Sequence, residues 1–481
     1  MSTIKAQVYE RPPMYDVAII GAGMSGLAAG VRLAHYDQKV VVLERHYAVG
    51  GLNSFYRLRG RFFDVGLHAV TNFAKAGARH GPLPRLLRQL RMKWDDFALR
   101  EQVGSAVAFP DATLRFTNDF ELFRSEVHQR FPVDKDNFER LVGMLPSYDD
   151  AGRTVMDASA REILEQNIGD PLLREMLFCP LAWYGSARED DMDWGLFAIL
   201  FRSIFIEGMS RPFAGVRQIL NHLVKKFKAL GGQLKMRAGV HQIRVDGKRA
   251  AAIVLDDGTE IFARRIISSA GAVETHRMLS DSSTAHPPDP GKLSFSETIS
   301  VLDCPPKDLG CDKTVVFFND SDKFRWRRPA DELCDVRTGV ICSPSNFAYT
   351  EQEGPLADSM MRITALADFD RWIHLTEGDY AAAKQTWYDR MVASAVRFVP
   401  DFRPHVIDTD MFTPRTIHRY TWHANGAVYG APKKQLDGAT GLDNLFLCGT
   451  DQGFLGIIGA ITGGIAIANR CLQLSTADFK S

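Results

Sequence analysis

Three glycines and one acidic residue near the N-terminus have the types and spacing of a site for a dinucleotide. Gly21, Gly23 and Gly26 form Gly-x-Gly-x-x-Gly, and Glu44 follows further along the chain. The first glycine permits a tight turn, the second lets the backbone approach a pyrophosphate, and the third allows a helix to pack closely on a strand. A glutamate at this distance accepts hydrogen bonds from a ribose diol, which favours an unphosphorylated ribose, as in FAD or NAD.

The elements that must position these residues are visible in the same stretch. Tyr15–Ile20 has the apolar run of a buried parallel strand, apolar residues at helical spacing predict a helix from Ser25 to about Tyr36, and Lys39–Leu43 predicts a second strand. Together they form one βαβ unit. Its helix would present free N–H groups and the positive end of its dipole to a phosphate.

The sequence beyond this unit favours FAD over NAD. Gly50 and Gly51 follow the second strand, and residues 62–68 read Phe-Phe-Asp-Val-Gly-Leu-His. Near the C-terminus, residues 444–451 read as a buried strand that ends at a glycine and an acid, and residues 456–464 open an apolar helix. A second Gly-x-Gly-x-x-Gly is absent, so we expect no dedicated NAD(P)H site, with electrons leaving to oxygen, a quinone or another acceptor.

In these motifs the chain resembles the phytoene desaturase, carotenoid isomerase and retinol saturase group of flavoproteins, within the amine-oxidase-like FAD superfamily. Residues 15–73, 208–275 and 442–470 carry the resemblance. It implies an α/β fold in which a discontinuous Rossmann-type FAD-binding domain carries an inserted α+β substrate domain. We place the FAD-binding domain at 14–78, 208–295 and 405–475, and the substrate-binding domain at 79–207 and 296–404.

The resemblance also implies which residues bind FAD. Those implied for the pyrophosphate are Gly21, Gly23, Ser25 and Gly26. Those implied for the adenosine are Glu44, at the ribose, with Arg45 and Val240, at the adenine. Those implied for the remaining phosphate and ribityl contacts are Gly51, Leu52, Asn53, Gly449 and Asp451. Those implied beside the flavin ring are Gly66, His68 and the helix start near Ile458, whose backbone N–H groups would face the pyrimidine oxygen.

Two positions depart from the group's pattern. Leu52 stands where many relatives have arginine, which removes one cation from the phosphate region, although Arg45 or Arg57 could compensate. The middle segment reads Pro212-Phe-Ala-Gly215 where Pro-x-Gly-Gly is usual. The second departure affects the substrate end more than the FAD site.

The catalytic side chains are not identified by any motif. His68 is a candidate proton donor or substrate-orienting group, and His418 and His423 are further candidates, but each also fits a structural role. No nucleophile constellation and no metal-ligand spacing stands out. One set of aromatic residues either walls a tunnel for a polyene or forms an ordinary helical core: Trp183, Tyr184, Trp194, Phe197, Phe201, Phe205 and Phe213.

Three functions follow from these observations. The leading one is an FAD-dependent oxidoreductase that desaturates, saturates or isomerises carbon–carbon bonds of a hydrophobic isoprenoid or carotenoid-like polyene. The second is a flavin amine oxidase, with Trp422 and Tyr429 as a candidate aromatic cage. The third is a non-catalytic binder like the escort proteins of prenylated GTPases, which lack the glycine fingerprint that this chain retains.

Composition bears on location and partners. The 58 basic and 58 acidic side chains balance, which gives no support for nucleic-acid binding. The seven cysteines form no Cys-x-x-Cys pair and predict reduced thiols, as in a cytoplasmic protein. Met1–Met14 lacks the apolar core of a signal peptide, and Gly195–Ile206 and Gly453–Ala468 look too short to span a membrane.

One basic segment has two interpretations, and one of them places it on a membrane surface. Pro84–Trp94 predicts a short helix in which Arg85, Arg88 and Arg91 recur every three residues between leucines. It either lies on an anionic membrane, which would suit a lipid-dissolved substrate, or is the solvated face of a core helix.

Overall fold

The structure is a computed structural model that describes residues 14–66, 68–146, 158–281 and 287–478. The segment before Met14 and Leu67 of the predicted flavin loop lie outside these residues. The strands, numbered in chain order, are β1 (Met14–Ile20), β2 (Val40–Glu44), β3 (Phe55–Leu58), β4 (Arg61–Asp64), β5 (Leu99–Glu101), β6 (Ser105–Phe109), β7 (Ala112–Phe116), β8 (Ser210–Pro212), β9 (Gln233–Met236), β10 (Val240–Asp246), β11 (Arg249–Leu255), β12 (Glu260–Ser268), β13 (Ser294–Leu302), β14 (Val315–Asn319), β15 (Thr338–Cys342), β16 (Ser359–Ala367), β17 (Val406–Phe412) and β18 (Leu445–Leu447).

Helices alternate with these strands along the chain. Their bounds are Met24–Ala34, Pro82–Leu90, Trp94–Phe97, Phe120–Arg130, Lys135–Met144, Ala160–Asn167, Pro171–Gly185, Trp194–Phe201 with a π-helical turn at Arg202–Ile206, Val216–Ala229, Ala272–Met278, Phe369–Ile373, Glu377–Ala395, Pro414–Thr421 and Gly456–Asp478.

The first sheet is the Rossmann-type sheet that the sequence predicted. Its strand order is β10-β11-β12-β1-β2-β9, with β18 also paired to β12. β1 pairs in parallel with β2 and β12, and β18 and β9 also pair in parallel with their neighbours, whereas β10 and β11 are antiparallel. The α/β fold class is confirmed, and the predicted elements of the first βαβ unit are shifted by only one or two residues at their ends.

The second sheet has the order β17-β13-β16-β15-β14-β6-β7. It is mostly antiparallel, with one parallel pairing between β14 and β6.

Sheet membership corrects one predicted domain boundary. β17 pairs along its whole length with β13, so the second sheet continues to Phe412, past the boundary placed at 405. The division into FAD-binding and substrate-binding domains otherwise remains a proposal.

Close backbone contacts hold the C-terminal helix on the first helix. A Cβ atom at Gly464 would lie 2.0 Å from the carbonyl oxygen of Ser25, so only glycine lets the helix Gly456–Asp478 approach so closely.

Within this helix, Gly456–Leu474 is long and apolar enough to cross a membrane, which corrects the shorter segment predicted from the sequence. Half of that stretch is buried inside the protein, as in a core helix.

The basic segment is a helix over Pro82–Leu90. Its leucines are buried in the core around the first helix, and Arg85, Arg88 and Arg91 point to solvent. An apolar face that is already buried is not available to insert into lipid. The structure therefore supports a solvated face on a core helix.

The seven cysteines are all free, and six of them are buried. Burial raises the pKa of several of their thiols, including those of Cys334 and Cys448 to about 12. Neutral buried thiols behave as small apolar side chains, which agrees with the predicted reduced state.

The Gly464 contact gives a stability prediction. Replacing Gly464 with alanine adds a methyl group where Ser25 leaves no room, and such overpacking typically costs about 1–3 kcal/mol. Gly143 lies in the helix Lys135–Met144 with no atom within 4 Å of an added Cβ, so Gly143→Ala should leave stability unchanged or raise it by up to about 1 kcal/mol. Urea unfolding of the cofactor-free variants measures both. Equal effects at the two positions would contradict the packing described.

Candidate functional site

One cavity of about 730 Å³ runs from the carboxyl ends of β1 and β2 to the face of the second sheet. We call its two parts the nucleotide end, at Gly21, Gly23 and Glu44, and the inner end, at Phe295, Glu297 and Thr364. Parallel sheets bind ligands at the carboxyl ends of their strands, where the connections leave a crevice. The cavity joins such a crevice to the interior of the second half of the protein.

The glycine turn fits a diphosphate. The helix Met24–Ala34 begins after Gly23 with no side-chain cap and no acidic residue in its first turn. Gly23, Met24 and Ser25 at this helix start line the cavity, so the positive end of the helix dipole lies beside it. An added Cβ at Gly23 meets no atom within 4 Å, whereas one at Gly26 would lie 2.2 Å from the carbonyl oxygen of Gly21. Gly23 therefore keeps space open for a ligand, and Gly26 permits the turn to pack on the helix.

Glu44 and Arg45 are fixed at the nucleotide end. The carboxylate of Glu44 accepts hydrogen bonds from the backbone N–H groups of Ala22 and His46, both at 2.8 Å. The guanidinium of Arg45 donates to Asp256 at 3.2 Å and lies 3.8 Å from the centre of the Trp422 ring, which is 58% exposed. Because these contacts hold both side chains in place, the nucleotide end is preorganised.

The structure brings most of the predicted FAD residues together. Those that line the cavity are Gly21, Gly23, Ser25, Glu44, Arg45, Gly51, Leu52, Asn53, Gly66, His68, Val240 and Asp451. Their individual contacts to FAD remain predictions.

Three predicted residues do not line the cavity. Gly26 and Gly449 are packing glycines, since a Cβ at Gly449 would lie 2.7 Å from Oγ of Ser25. Ile458 is buried in the core, and its neighbours Gly456 and Ile457 line the cavity in its place. These positions were predicted from the motif as a whole. A motif does not distinguish residues that pack within the protein from residues that contact the ligand.

Asp451 lines the cavity, but its carboxylate already has protein partners. It accepts hydrogen bonds from the backbone N–H groups of Ala272 at 2.5 Å and Ala431 at 2.7 Å, and lies 3.6 Å from Nζ of Lys434. Asp451 therefore ties three separate chain segments together at the cavity wall.

A buried network of charges lies at the inner end. Nε2 of His68 is 3.3 Å from Oε2 of Glu297 and 2.8 Å from Oγ1 of Thr364. Arg362 donates from Nε to Oε1 of Glu297 at 2.6 Å and from Nη2 to the carbonyl oxygen of Asp64 at 2.8 Å. The carboxylate of Glu297 thus bridges two cationic side chains.

The protonation states of this network follow from its contacts. Burial opposes ionisation of Glu297, but Arg362 and His68 outweigh it and lower the pKa of Glu297 to about 2. Burial also opposes a charged His68, but the neighbouring carboxylate of Glu297 outweighs it and raises the pKa of His68 to about 9. At neutral pH the inner end therefore holds an imidazolium and a guanidinium around one carboxylate.

Glu297, Thr364 and Arg362 were not predicted as site residues from the sequence. Each lies in a strand of the second sheet, far along the chain from His68, so no spacing connects them. A signal was present, because Glu297 is the only charged residue in the buried strand β13 and Arg362 the only one in β16. One charge of each sign in two otherwise uncharged strands is the pattern of a buried ion pair.

The other two histidine candidates differ in their position relative to the cavity. His423 lines the cavity and lies 3.7 Å from Glu274; burial opposes its charge, but Glu274 raises its pKa above the ordinary value. Nδ1 of His418 bonds to the carbonyl oxygen of His423 at 2.8 Å, and its side chain does not line the cavity. His418 therefore has a structural role.

The aromatic residues also differ in their position relative to the cavity. Trp183 and Tyr184 line the cavity, whereas Phe197, Phe201 and Phe205 are fully buried in the adjoining core and do not line it. Of the remaining two, Trp194 packs on Phe197 in the same core, and Phe213 packs on Tyr349. The tunnel interpretation holds only for the first two.

Trp422 and Tyr429 do not form one aromatic cage. Trp422 stacks on Arg45 at the nucleotide end. The Tyr429 hydroxyl donates to the carbonyl oxygen of Trp183, and its ring lies 5.7 Å from that of Phe295 at the inner end. Because Trp422 and Tyr429 make their contacts at opposite ends of the cavity, they cannot together form the aromatic cage predicted for an amine oxidase.

Comparison with known proteins places this site in a family. The model of the flavin-containing amine oxidoreductases matches residues 24–472. The chain belongs to this family. Its relatives include all-trans-retinol 13,14-reductase from Danio rerio, which is 24% identical over 96% of this chain and 87% of that protein. A chloroplastic prolycopene isomerase from Daucus carota is 23% identical over 95% of this chain and 80% of its own length.

Solved structures of other proteins share the fold. An oxidoreductase from Methanosarcina mazei superposes with a TM-score of 0.65 at 16% identity, covering 94% of this chain and 99% of its own. Cyclohexylamine oxidase from Brevibacterium oxydans gives a TM-score of 0.61 at 14% identity, covering 98% and 100%. The family and the relatives confirm the predicted group, an FAD cofactor and an oxidoreductase, and they leave the non-catalytic binder without support.

The two glycines of the turn give a prediction that separates binding from folding. Gly23→Ala places a methyl group in free space, so the cofactor-free protein should unfold normally, but it should bind FAD at least tenfold more weakly, a loss of about 1.4 kcal/mol. Gly26→Ala should lower both stability and binding because its Cβ meets Gly21. Urea unfolding and FAD titration of the two cofactor-free variants measure this. Normal FAD affinity in Gly23→Ala would contradict the site.

Proposed function

We propose that the chain oxidises, reduces or isomerises carbon–carbon double bonds of a hydrophobic isoprenoid or carotenoid-like polyene. One observation carries this proposal: the inner end of the FAD cavity combines an apolar wall with an excess of positive charge. Bound FAD supplies the two-electron redox chemistry. The residues of the chain hold the cofactor, exclude water and orient the substrate.

The wall of the inner end suits a flat apolar molecule. The residues that form it are Trp183, Tyr184, Phe295, Val340, Phe412, Val428, Tyr429 and Leu455. Trp183, Phe295 and Tyr429 contact one another in series, with ring centres 5.3 and 5.7 Å apart. Aromatic and aliphatic walls with few polar groups are typical of sites for hydrophobic ligands.

The charge at the inner end argues against an amine substrate. Glu297 is already neutralised by Arg362 and His68, so it is not free to pair with an ammonium group. A substrate cation about 5 Å from the imidazolium would be repelled by roughly 3 kcal/mol at an effective dielectric constant of 20. That repulsion corresponds to a loss of more than about 100-fold in affinity, whereas a neutral polyene does not experience it.

The relatives support the same class of reaction. One is named as a retinol 13,14-reductase and another as a prolycopene isomerase, and both names describe chemistry on a conjugated isoprenoid chain. They do not agree on the direction of the reaction. Desaturation, saturation and isomerisation therefore remain together in the proposal, and the electron acceptor is proposed as oxygen, a quinone or another small acceptor.

The substrate prediction is tested by co-expression with candidate polyene precursors. Lipid extracts should show a polyene two mass units heavier or lighter, or an isomer of unchanged mass with a shifted absorbance spectrum. Gly23→Ala, which should bind FAD more weakly, is the control and should form less product. Val428→Asp places a carboxylate in the apolar wall and should raise KM for the polyene at least tenfold with FAD content unchanged, whereas Val428→Ile should not. Unchanged polyenes together with peroxide formation from amines would reverse the proposal.

We also propose that the protein is cytoplasmic and attaches to membrane surfaces through the solvated face of Arg85, Arg88 and Arg91. The support is their exposure and the insolubility of the proposed substrate. The wild-type protein should float with anionic liposomes. At about 0.5 M salt it should no longer float, because surface charges are then screened within a few ångströms. A triple Arg→Gln variant should stay at the bottom of the gradient. A wild-type protein that never floats would end this proposal.

A further inference from the structure

Trp422 carries a large apolar ring at the mouth of the cavity. It is 58% exposed, and it is the only tryptophan among the exposed large apolar side chains of the described residues. The same residue lines the cavity. Single exposed apolar side chains are common on protein surfaces, so the backbone and the neighbours of Trp422 decide whether it has a role.

The backbone of Trp422 has a conformation that disfavours a large side chain. Trp422 ends the helix Pro414–Thr421 with φ 64° and ψ 6°, in the left-handed region where glycine is usual. Among the described residues, nine other than glycine have a positive φ, and Trp422 is the only aromatic one of them. Strain of this kind is concentrated at functional sites, where the surrounding structure imposes it.

Arg45 connects Trp422 to the strand β10. The guanidinium carbon of Arg45 lies 3.8 Å from the centre of the indole, and the guanidinium donates to Asp256 at 3.2 Å. A Cβ atom at Gly239 would lie 2.9 Å from Nε of Arg45, so this side chain lies against the chain just before Val240. This series of contacts places Trp422 at the same end of the cavity as Val240.

The segment that follows Trp422 is fixed from the other side. The backbone N–H of Ala424 donates to Oε1 of Glu274 at 2.7 Å, and Oε2 of the same carboxylate lies 3.7 Å from Nδ1 of His423. Glu274 belongs to the helix Ala272–Met278. Because the chain is anchored on both sides of Trp422, the indole is presented to the cavity in one place before any ligand binds.

The space beside the indole suits a flat heteroaromatic group. Ala238, Val240 and Met278 line the cavity at this end and give it apolar surface. The cavity continues from here to the inner end, where the redox ring of FAD must lie to reach a substrate. The part of FAD that remains at the nucleotide end is the adenosine, and adenine is a flat base that stacks on aromatic rings and on guanidinium groups.

We infer that Trp422 is an adenine-binding residue: the indole and the guanidinium of Arg45 stacked on it form one flat surface on which the adenine of FAD lies. The exposed ring is then covered when the cofactor binds. The inference rests on bound FAD and not on the proposed polyene.

Two variants of Trp422 test this role in the cofactor-free protein, with FAD, ADP and FMN as probes. Trp422→Gly removes the ring and should weaken the binding of FAD and of ADP about fivefold or more, as expected when a base loses its stacking partner. FMN lacks adenine, so its affinity should not change. Trp422→Phe keeps a ring and should bind FAD and ADP within about threefold of the wild-type affinity. Titration calorimetry measures all three ligands.

Urea unfolding of the same cofactor-free variants separates ligand binding from support of the fold. Glycine prefers the left-handed backbone at position 422, and this gain offsets the loss of the contact with Arg45. The unfolding midpoint of Trp422→Gly should therefore equal or exceed that of the wild type. A tryptophan that only supports the fold would instead lower the midpoint and the affinity for all three ligands together.

Tyr36→Ala is the matched control. The ring of Tyr36 is 45% exposed and also carries an arginine, Arg32, whose guanidinium carbon lies 4.8 Å from the ring centre, but Tyr36 does not line the cavity. Its replacement should leave the affinities for FAD and ADP unchanged.

Unchanged FAD and ADP affinity in Trp422→Gly, or an equal loss of FMN affinity, would overturn the inference. Either result would leave the polyene proposal standing, since that is tested by product formation. A measurement on the wild type covers poor folding of the variants. Oxidation by N-bromosuccinimide followed by peptide mapping should modify Trp422 in the cofactor-free protein, and ADP should protect it. Equal modification with and without saturating ADP would also overturn the inference.

Discussion

The close approach of backbone segments around the N-terminus of the first helix is the constraint on which the rest of the structure depends. Gly26 packs on the Gly21 carbonyl, and Gly464 packs on that of Ser25. A side chain at either position would push the glycine turn or the C-terminal helix away. With glycines there, the first crossover and the chain's last helix meet, and the uncapped helix N-terminus opens into the cavity.

From that junction the cavity changes character along its length. The nucleotide end is made by the connections of a parallel sheet and is held by backbone amides around Glu44. The inner end is made by strands of the second sheet, which contribute Phe295, Glu297 and Thr364. Since redox chemistry comes from the cofactor, the second sheet supplies what the cofactor lacks, namely an apolar surface and a fixed charge.

Much of the first sheet was predictable because its signals are local. Strand, glycine turn, helix and acid follow one another within one βαβ unit, and the helix stop at Gly231 and the turn at Gly258 both have the positive φ that favours glycine. The inner end was less accessible because its contacts join positions hundreds of residues apart. His68 was noticed only by its place after the flavin loop, while Glu297 and Arg362 carry no local motif. The boundary at 405 failed for the same reason, because β17 is assigned by its pairing with β13.

The most direct measurement is a crystal structure of the protein reconstituted with FAD. The arrangement described here predicts the diphosphate at the amides that begin the helix Met24–Ala34, the adenosine beside Glu44 and Arg45, and the flavin ring directed toward the inner end. A flavin bound in the opposite direction, or density for FAD at a different surface with the cavity still open, would contradict it.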